Sequence, residues 1–184
     1  RMTPCMLRVT LTGEDLADFT SLAPDDHCKV IVPDERGAPV MRDYTPRAYN
    51  HAERSLVIDF AVHDAGPATR WALDAKVGDS VEIGGPRGSA VLRGDIARLV
   101  LIGDETALPA IGRQIEEAAA GIAIEAIVAV PSGDDEQVFE SAADVRVRWI
   151  HRPASQATEP SVFLDALADV AFGEGTYAWI AAEA

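Results

Sequence analysis

Cysteine, positive charge and long apolar runs are scarce in this sequence, and each scarcity excludes something. The two cysteines, Cys5 and Cys28, form no C-x-x-C pair and no disulfide framework. That usage fits a reduced, cytoplasmic protein. No stretch approaches the ~18 apolar residues of a membrane-spanning helix, and the opening R-M-T-P-C-M-L-R-V-T lacks the apolar centre of a signal peptide. The four histidines and two cysteines show no metal-ligand spacing. G-x-G-x-x-G, Walker A and G-x-S-x-G sequences are all missing. Lysine and arginine total 16 against 30 acidic residues, a formal net charge of −14. A field of that sign repels nucleic acid and anionic membranes, so an anionic small molecule has to be met by arginines gathered locally. No heptad and no long exposed apolar stretch appears, which favours a monomer.

What is present suffices for a core: 48% of 184 residues are apolar, enough for one large domain or two small ones. The rhythm changes near Gly94 and Asp95. Before it, short runs at 5–11, 27–32, 41–49, 56–63 and 81–83 are punctuated by D-E-R-G, K-V-G-D and G-G-P-R-G, the pattern of a small antiparallel barrel. Leu56, Ile58, Phe60 and Val62 alternate with Val57, Asp59, Ala61 and His63, which predicts a strand with one buried face. A short helix is expected over 67–74. After it, R-L-V-L-I-G at 98–103 reads as a buried parallel strand. A helix over 106–119 follows, with Leu108, Ile111, Ile115 and Ala118 on one face. Strands at 122–130, 145–150 and 177–181 and a helix at 161–170 complete an α/β order. The expected fold class is therefore an antiparallel β-barrel, residues 1–95, followed by a parallel-sheet α/β domain, residues 96–184.

Four stretches carry chemistry, and each has an ordinary reading beside the functional one. In R-D-Y-T-P-R, Arg42 and Arg47 offer donor forks for phosphate, Tyr44 a flat face and Thr45 a hydroxyl. Pro46 implies an edge or bulge. The ordinary reading is a strand with a core tyrosine and solvated arginines. In H-D-A-G-P-A-T-R-W, Gly66 and Pro67 open a helix whose N-terminus, with Ala68 and Thr69, suits a phosphate, or merely caps the barrel, with His63 on the surface. In L-I-G-D-E-T-A-L-P-A, a strand runs through Gly103 into a helix, a nucleotide-binding position. There Asp104 and Glu105 are either ribose- or flavin-facing groups or ordinary helix-start acids, and Thr106 is the expected N-cap. In W-I-H-R, His151 and Arg152 are either phosphate neighbours or exposed loop residues. The acidic run S-G-D-D-E at 132–136 would repel a 2′-phosphate, which leans toward NADH, or is a solvated loop.

Together these stretches, with L-V-I-D-F-A-V-H, V-G-D-S-V-E-I-G-G-P-R-G and Y-A-W-I-A-A-E-A, make the sequence resemble the siderophore-interacting protein family. That family consists of FAD-dependent ferric-siderophore reductases related to ferredoxin–NADP reductases. The resemblance covers nearly the whole chain in family order. It implies an FAD-binding barrel and a nicotinamide-binding second domain. By the same resemblance that second domain would be incomplete here, since the family continues past this segment into a further helix and an aromatic, basic C-terminal stretch. It assigns Tyr44 to the isoalloxazine, Thr45 to the region of N5, and Arg42 and Arg47 to phosphate and ribityl. His63, Gly66, Pro67, Ala68 and Thr69 would cradle the diphosphate. Gly103, Asp104, Glu105 and Thr106 would form the nicotinamide side, with Thr106 close to the flavin. The implied reaction passes electrons from NAD(P)H through FAD to Fe(III) in a siderophore, with no protein acid or base. Arg47, Arg87 and Arg93 are the expected substrate-facing charges. Two alternatives stay open: a flavin reductase with a quinone or ferredoxin-type acceptor, and a flavin-binding module without activity.

Overall fold

The computed structural model describes residues 1–62 and 66–182, apart from the Ala154 side chain. The chain divides into two units, Arg1–Val91 and Leu92–Ala184, a few residues before the change of rhythm in the sequence.

The first unit contains β1 (Met6–Thr12), β2 (Cys28–Pro33), β3 (Pro39–Tyr44), β4 (Pro46–Asn50), β5 (Ser55–Ala61), helix α1 (Pro67–Asp74) and β6 (Glu82–Gly84). They form two antiparallel three-stranded sheets, β1-β5-β4 and β3-β2-β6. Period-two alternation turns Val30 and Val32 of β2 and Leu56, Ile58 and Phe60 of β5 into a shared core with Phe19 and Cys28. Each such aliphatic or aromatic side chain contributes roughly 1.5–3 kcal/mol by leaving water. α1 closes that core with Ala68 and Ala72, and Trp71 packs at its margin. Burial pushes the Cys28 thiol up to about 12, so it is a packing residue and not a nucleophile.

Two expectations fail here for physical reasons. Residues 41–49 are not one strand: β3 ends at Tyr44 in one sheet and β4 starts at Pro46 in the other, leaving Thr45 as the step between them. Pro46 has no N–H for a continuous ladder, and it keeps Thr45 extended. Asp59, expected on a solvated face, is 3% exposed, because charged partners meet it inside the sheet.

The second unit contains β7 (Arg98–Gly103), helix α2 (Leu108–Glu117), β8 (Ala123–Val130), β9 (Asp144–His151), helix α3 (Ser161–Leu167) and β10 (Thr176–Ala181). Its sheet is parallel throughout, in the order β10-β7-β8-β9. The central strands are apolar on both faces: Val100, Leu101, Ala126, Ile127 and Val128 are all fully buried. α3 lays Phe163, Ala166 and Leu167 over the face carrying Val100, Ile102 and Ile127. Its helix ends at Leu167 rather than at 170. α2 begins at Leu108, two residues after the expected start.

The loop after β6 is fastened from below by one carboxylate. Asp26 Oδ2 accepts hydrogen bonds from Ser89 Oγ at 2.6 Å, Ser21 Oγ at 2.8 Å and the Ala23 N–H at 3.2 Å. Burial works to raise the Asp26 pKa, but these donors and the Leu22 N–H together hold it below the ordinary carboxylate value. A carboxyl with a lowered folded pKa contributes stability that is present above its unfolded pKa, about 3.9, and is lost as pH falls through the folded value. Asp26→Asn is expected to cost about 1–2 kcal/mol at neutral pH and progressively less below about pH 4, read from denaturant melts across pH. A cost that stays constant to about pH 2 would contradict the role of the ionised carboxylate.

Candidate functional site

In the first unit the R-D-Y-T-P-R stretch bridges the two sheets. Arg42 is exposed, and its Nη1 donates to the Met41 carbonyl at 2.9 Å. The half-buried Tyr44 ring lies with its centroid 4.4 Å from that of Phe60, which is in turn 6.2 Å from Trp71. Thr45 is half-buried beside it. Arg47 sits at a bulge: β4 pairs Pro46 with Ile58 and then Ala48 with Val57, so Arg47 is the extra residue. Its side chain is 7% exposed, and Nε lies 3.7 Å from Asp59 Oδ2. The same carboxylate receives Arg8 Nε and Nη2 at 2.7 Å each, a two-pronged fork from β1. Neither Asp59 nor Arg8 was singled out by sequence reasoning. The available signal was a lone acid inside the apolar run L-V-I-D-F-A-V.

α1 offers its N-terminus nearby in the chain. Gly66 is the N-cap with extended backbone, Pro67 follows, and no side chain among the described residues caps the helix. The first N–H that reaches back is that of Arg70, donating to the Gly66 carbonyl at 2.9 Å. Ala68 and Thr69 are themselves buried; their N–H groups belong to the first turn, where a helix favours an anion. A Cβ on Gly66 would meet nothing within 4 Å among the described residues. His63 lies outside the described residues. An aromatic face, a hydroxyl, a buried guanidinium and an uncapped helix start fit a flavin with its diphosphate. Arg87 and Arg93 are exposed.

In the second unit the strand order reverses beside β7: β8 and β9 follow on one side, β10 on the other. Ligands of open α/β sheets bind at the carboxyl end of such a switch point. Gly103 is required there by packing, since a Cβ would come 2.5 Å from Ala107 Cβ and 2.6 Å from the Ala181 carbonyl oxygen. Thr106 is not the helix cap, because Ala107 holds that place. Instead, Asp104 Oδ1 accepts the Thr106 N–H at 2.9 Å and its hydroxyl at 2.6 Å, closing the turn that presents Thr106. Asp104 and Glu105 are buried, and so is Arg152, whose side chain is 1% exposed. Arg152 Nη2 lies 3.5 Å from Asp104 Oδ2 and 3.2 Å from Glu105 Oε2. These residues are thus neither solvated helix-start acids nor an exposed loop arginine. The acidic run at 132–136 is also less available than the sequence suggests: Asp135 is buried and accepts from Ser132 Oγ at 3.0 Å, and Glu136 meets His151 Nε2 at 2.8 Å. Arg42, Tyr44, Thr45, Arg47 and the α1 turn belong to the first unit, while 103–106 and Arg152 belong to the second.

Two family models match the chain: a siderophore-interacting FAD-binding domain over residues 1–38 and 33–90, and siderophore-interacting protein over 96–184. A solved siderophore utilization protein from T. fusca is 35% identical with a TM-score of 0.89, covering 98% of this chain and 76% of its own. The chain belongs to the siderophore-interacting protein family. A second solved member, SipS from Aeromonas hydrophila, is 29% identical with a TM-score of 0.85, over 99% of this chain and 75% of that one. The chain is also similar to curated proteins with named activities. The NADPH-dependent ferric-chelate reductase of Escherichia coli K12 is 38% identical over 59% of this chain, and the ferric vibriobactin reductase of Vibrio cholerae is 30% identical over 83%. The chain spans 50% and 63% of the length of those two relatives. The fold is also shared with the cytochrome b5 reductase domain of Ulva prolifera nitrate reductase, TM-score 0.71 at 16% identity.

Removing Arg152 would leave two buried acids facing each other. Arg152→Met is expected to destabilise the second unit by about 3–5 kcal/mol, with Asp104→Asn restoring part of the loss when combined, measured by chemical denaturation of the single and double variants. Additive losses would mean that the three groups are not coupled.

Proposed function

We propose that this chain is an FAD-dependent reductase of ferric siderophores, drawing electrons from NAD(P)H and releasing iron as Fe(II). The observation that carries this reading is the step between the two sheets, where a ring, a hydroxyl and a buried guanidinium occur within four residues, Tyr44 to Arg47. The named activities of the relatives support the same reading.

In this account Tyr44 supports the isoalloxazine, and Thr45 supplies a hydroxyl at its edge. Arg47 and the Ala68 and Thr69 N–H groups take the diphosphate, and exposed Arg42 assists from solvent. When bound, FAD supplies the redox chemistry, accepting two electrons from the nicotinamide and delivering them singly to iron. The chain's own work is binding and orientation, and electron transfer to a chelated metal calls for no acid or base. The turn held by Asp104 presents Thr106 to the nicotinamide donor at the switch point. Asp134 and Glu136 of the acidic run stay exposed, which still leans toward NADH over a 2′-phosphate. Reduction loosens the iron because Fe(II), softer and less charged, binds hard oxygen donors less tightly.

Arg47 is committed to the buried site, which leaves Arg87 and Arg93 as the charges for an anionic chelate. Asp26, through Ser89, holds the loop that carries Arg87. Cys5 and Cys28, which form no disulfide, suit the reducing cytoplasm.

The test is steady-state ferric reduction by the FAD-loaded chain, followed with a ferrous-specific chromophore. Several ferric chelates should be reduced in a flavin-dependent manner, and a quinone should not. Arg87→Ala with Arg93→Ala should raise KM roughly two- to fivefold for an anionic chelate, the worth of exposed charge pairs, and leave a neutral one unchanged. Turnover of quinone without turnover of any ferric chelate would favour a reductase with another acceptor. Flavin uptake with no turnover of either would indicate a binding module.

A further inference from the structure

One residue interrupts the burial of the segment that forms β7 and most of α2. From Leu99 to Ile115 every residue is buried except Thr106, which is half-buried. It lies in the turn at the carboxyl end of β7, beside the point where the strand order reverses. A ligand arriving at that turn from solvent meets Thr106 before any other side chain of the segment. The Thr106 N–H and hydroxyl both donate to Asp104 Oδ1, at 2.9 Å and 2.6 Å. Asp104 itself is 2% exposed. A hydroxyl has one proton and two lone pairs. Here the proton is committed to a carboxylate, a stronger acceptor than a neutral carbonyl. What Thr106 has left for a ligand is acceptor capacity alone.

We propose that Thr106 is a specificity-determining residue for the electron donor, accepting a hydrogen bond from the carboxamide N–H2 of its nicotinamide ring. The inference rests on the nicotinamide reading above. The ring carries one exocyclic donor, the amide N–H2, and that group matches an oxygen that can only accept. The ribose hydroxyls donate and accept alike, so an acceptor-only partner sorts nothing among them. A nicotinic acid ring, whose carboxylate has no proton to give, would set oxygen against oxygen. With its proton uncommitted, the Thr106 hydroxyl could turn and donate to a ligand carbonyl. Asp104 opposes that turn, because it would take a donor away from a buried carboxylate. The acid thus fixes the polarity of the one hydroxyl this segment shows to solvent.

The 3-acetylpyridine analogues of the dinucleotides keep the carbonyl and replace only the N–H2 by methyl. Kd values for NAD+, NADP+ and their 3-acetylpyridine counterparts are measured by calorimetric titration of the FAD-loaded chain, since the oxidised forms cannot reduce the flavin. The unaltered chain should bind the carboxamide form roughly three- to tenfold more tightly than the acetyl form, the worth of one hydrogen bond. Thr106→Val should bring the carboxamide Kd to that of the acetyl form and leave the acetyl form within about twofold of its original value. Thr106→Ser should keep the preference. If the valine variant does not fold, Thr106→Ala reads the same contrast. A preference that survives loss of the hydroxyl, even with lowered stability, would confine Thr106 to closing the turn and overturn the amide contact. Equal losses for both forms, or no preference in the unaltered chain, would overturn it as well while leaving the nicotinamide reading intact. Failure of the unaltered chain to bind any of these dinucleotides would overturn the nicotinamide reading itself, and the inference with it.

Discussion

One buried carboxylate shared by two guanidiniums is the constraint on which the first unit's site depends. Arg47 is carried into the interior by a bulge on a short strand, and an unaccompanied cation there would be costly. Asp59 makes the position tolerable, and Arg8 keeps Asp59 in place from the opposite strand. The bulge in turn follows from Pro46, which cannot extend the β3 ladder and forces the chain into the second sheet at Thr45. Sequence, strand exchange and buried charge are thus one device. It brings Tyr44, Thr45 and Arg47 to the same junction between sheets.

The second unit uses related arrangements. Arg152 faces Asp104 and Glu105 at the switch point, and Glu125 on β8 lies between Arg98 on β7 and Arg148 on β9. A chain with a formal charge of −14 has acids in excess, and several of its arginines are committed to them. The exposed Arg42, Arg87 and Arg93 stand out against that background as the local basic groups such a chain needs to meet an anion. At the β7–α2 turn, Asp104 both faces Arg152 and holds Thr106, so the ion pair and the presentation of Thr106 are linked.

Much of this was legible in the sequence, and the reasons differ by element. β7 and α1 have the bounds the sequence suggests, because a continuous apolar run and a Gly-Pro helix start are local signals. The two-domain order and the family motifs were likewise readable. The division of 41–49 between sheets was only half legible: Pro46 signalled an edge or bulge, but that the chain changes sheets there is revealed by tertiary pairing. Burial of Asp59, Asp104, Glu105 and Arg152 was also hidden. Each has a charged side chain that local pattern assigns to solvent, and the partner that allows burial lies 12 to 51 residues away for Arg47 and Arg8 of Asp59, and 47 or 48 for Arg152. The delayed start of α2 has the same kind of cause: Asp104 captures the Thr106 N–H and hydroxyl in a turn before the helix can begin.

The most direct test of the central claim is a crystal structure of the chain with FAD bound. The account predicts the isoalloxazine against Tyr44 and Thr45, with the phosphates met by Arg47 and the start of α1, and Asp59 still held by Arg8. A flavin bound elsewhere, or phosphates that make no contact with Arg47, would contradict it.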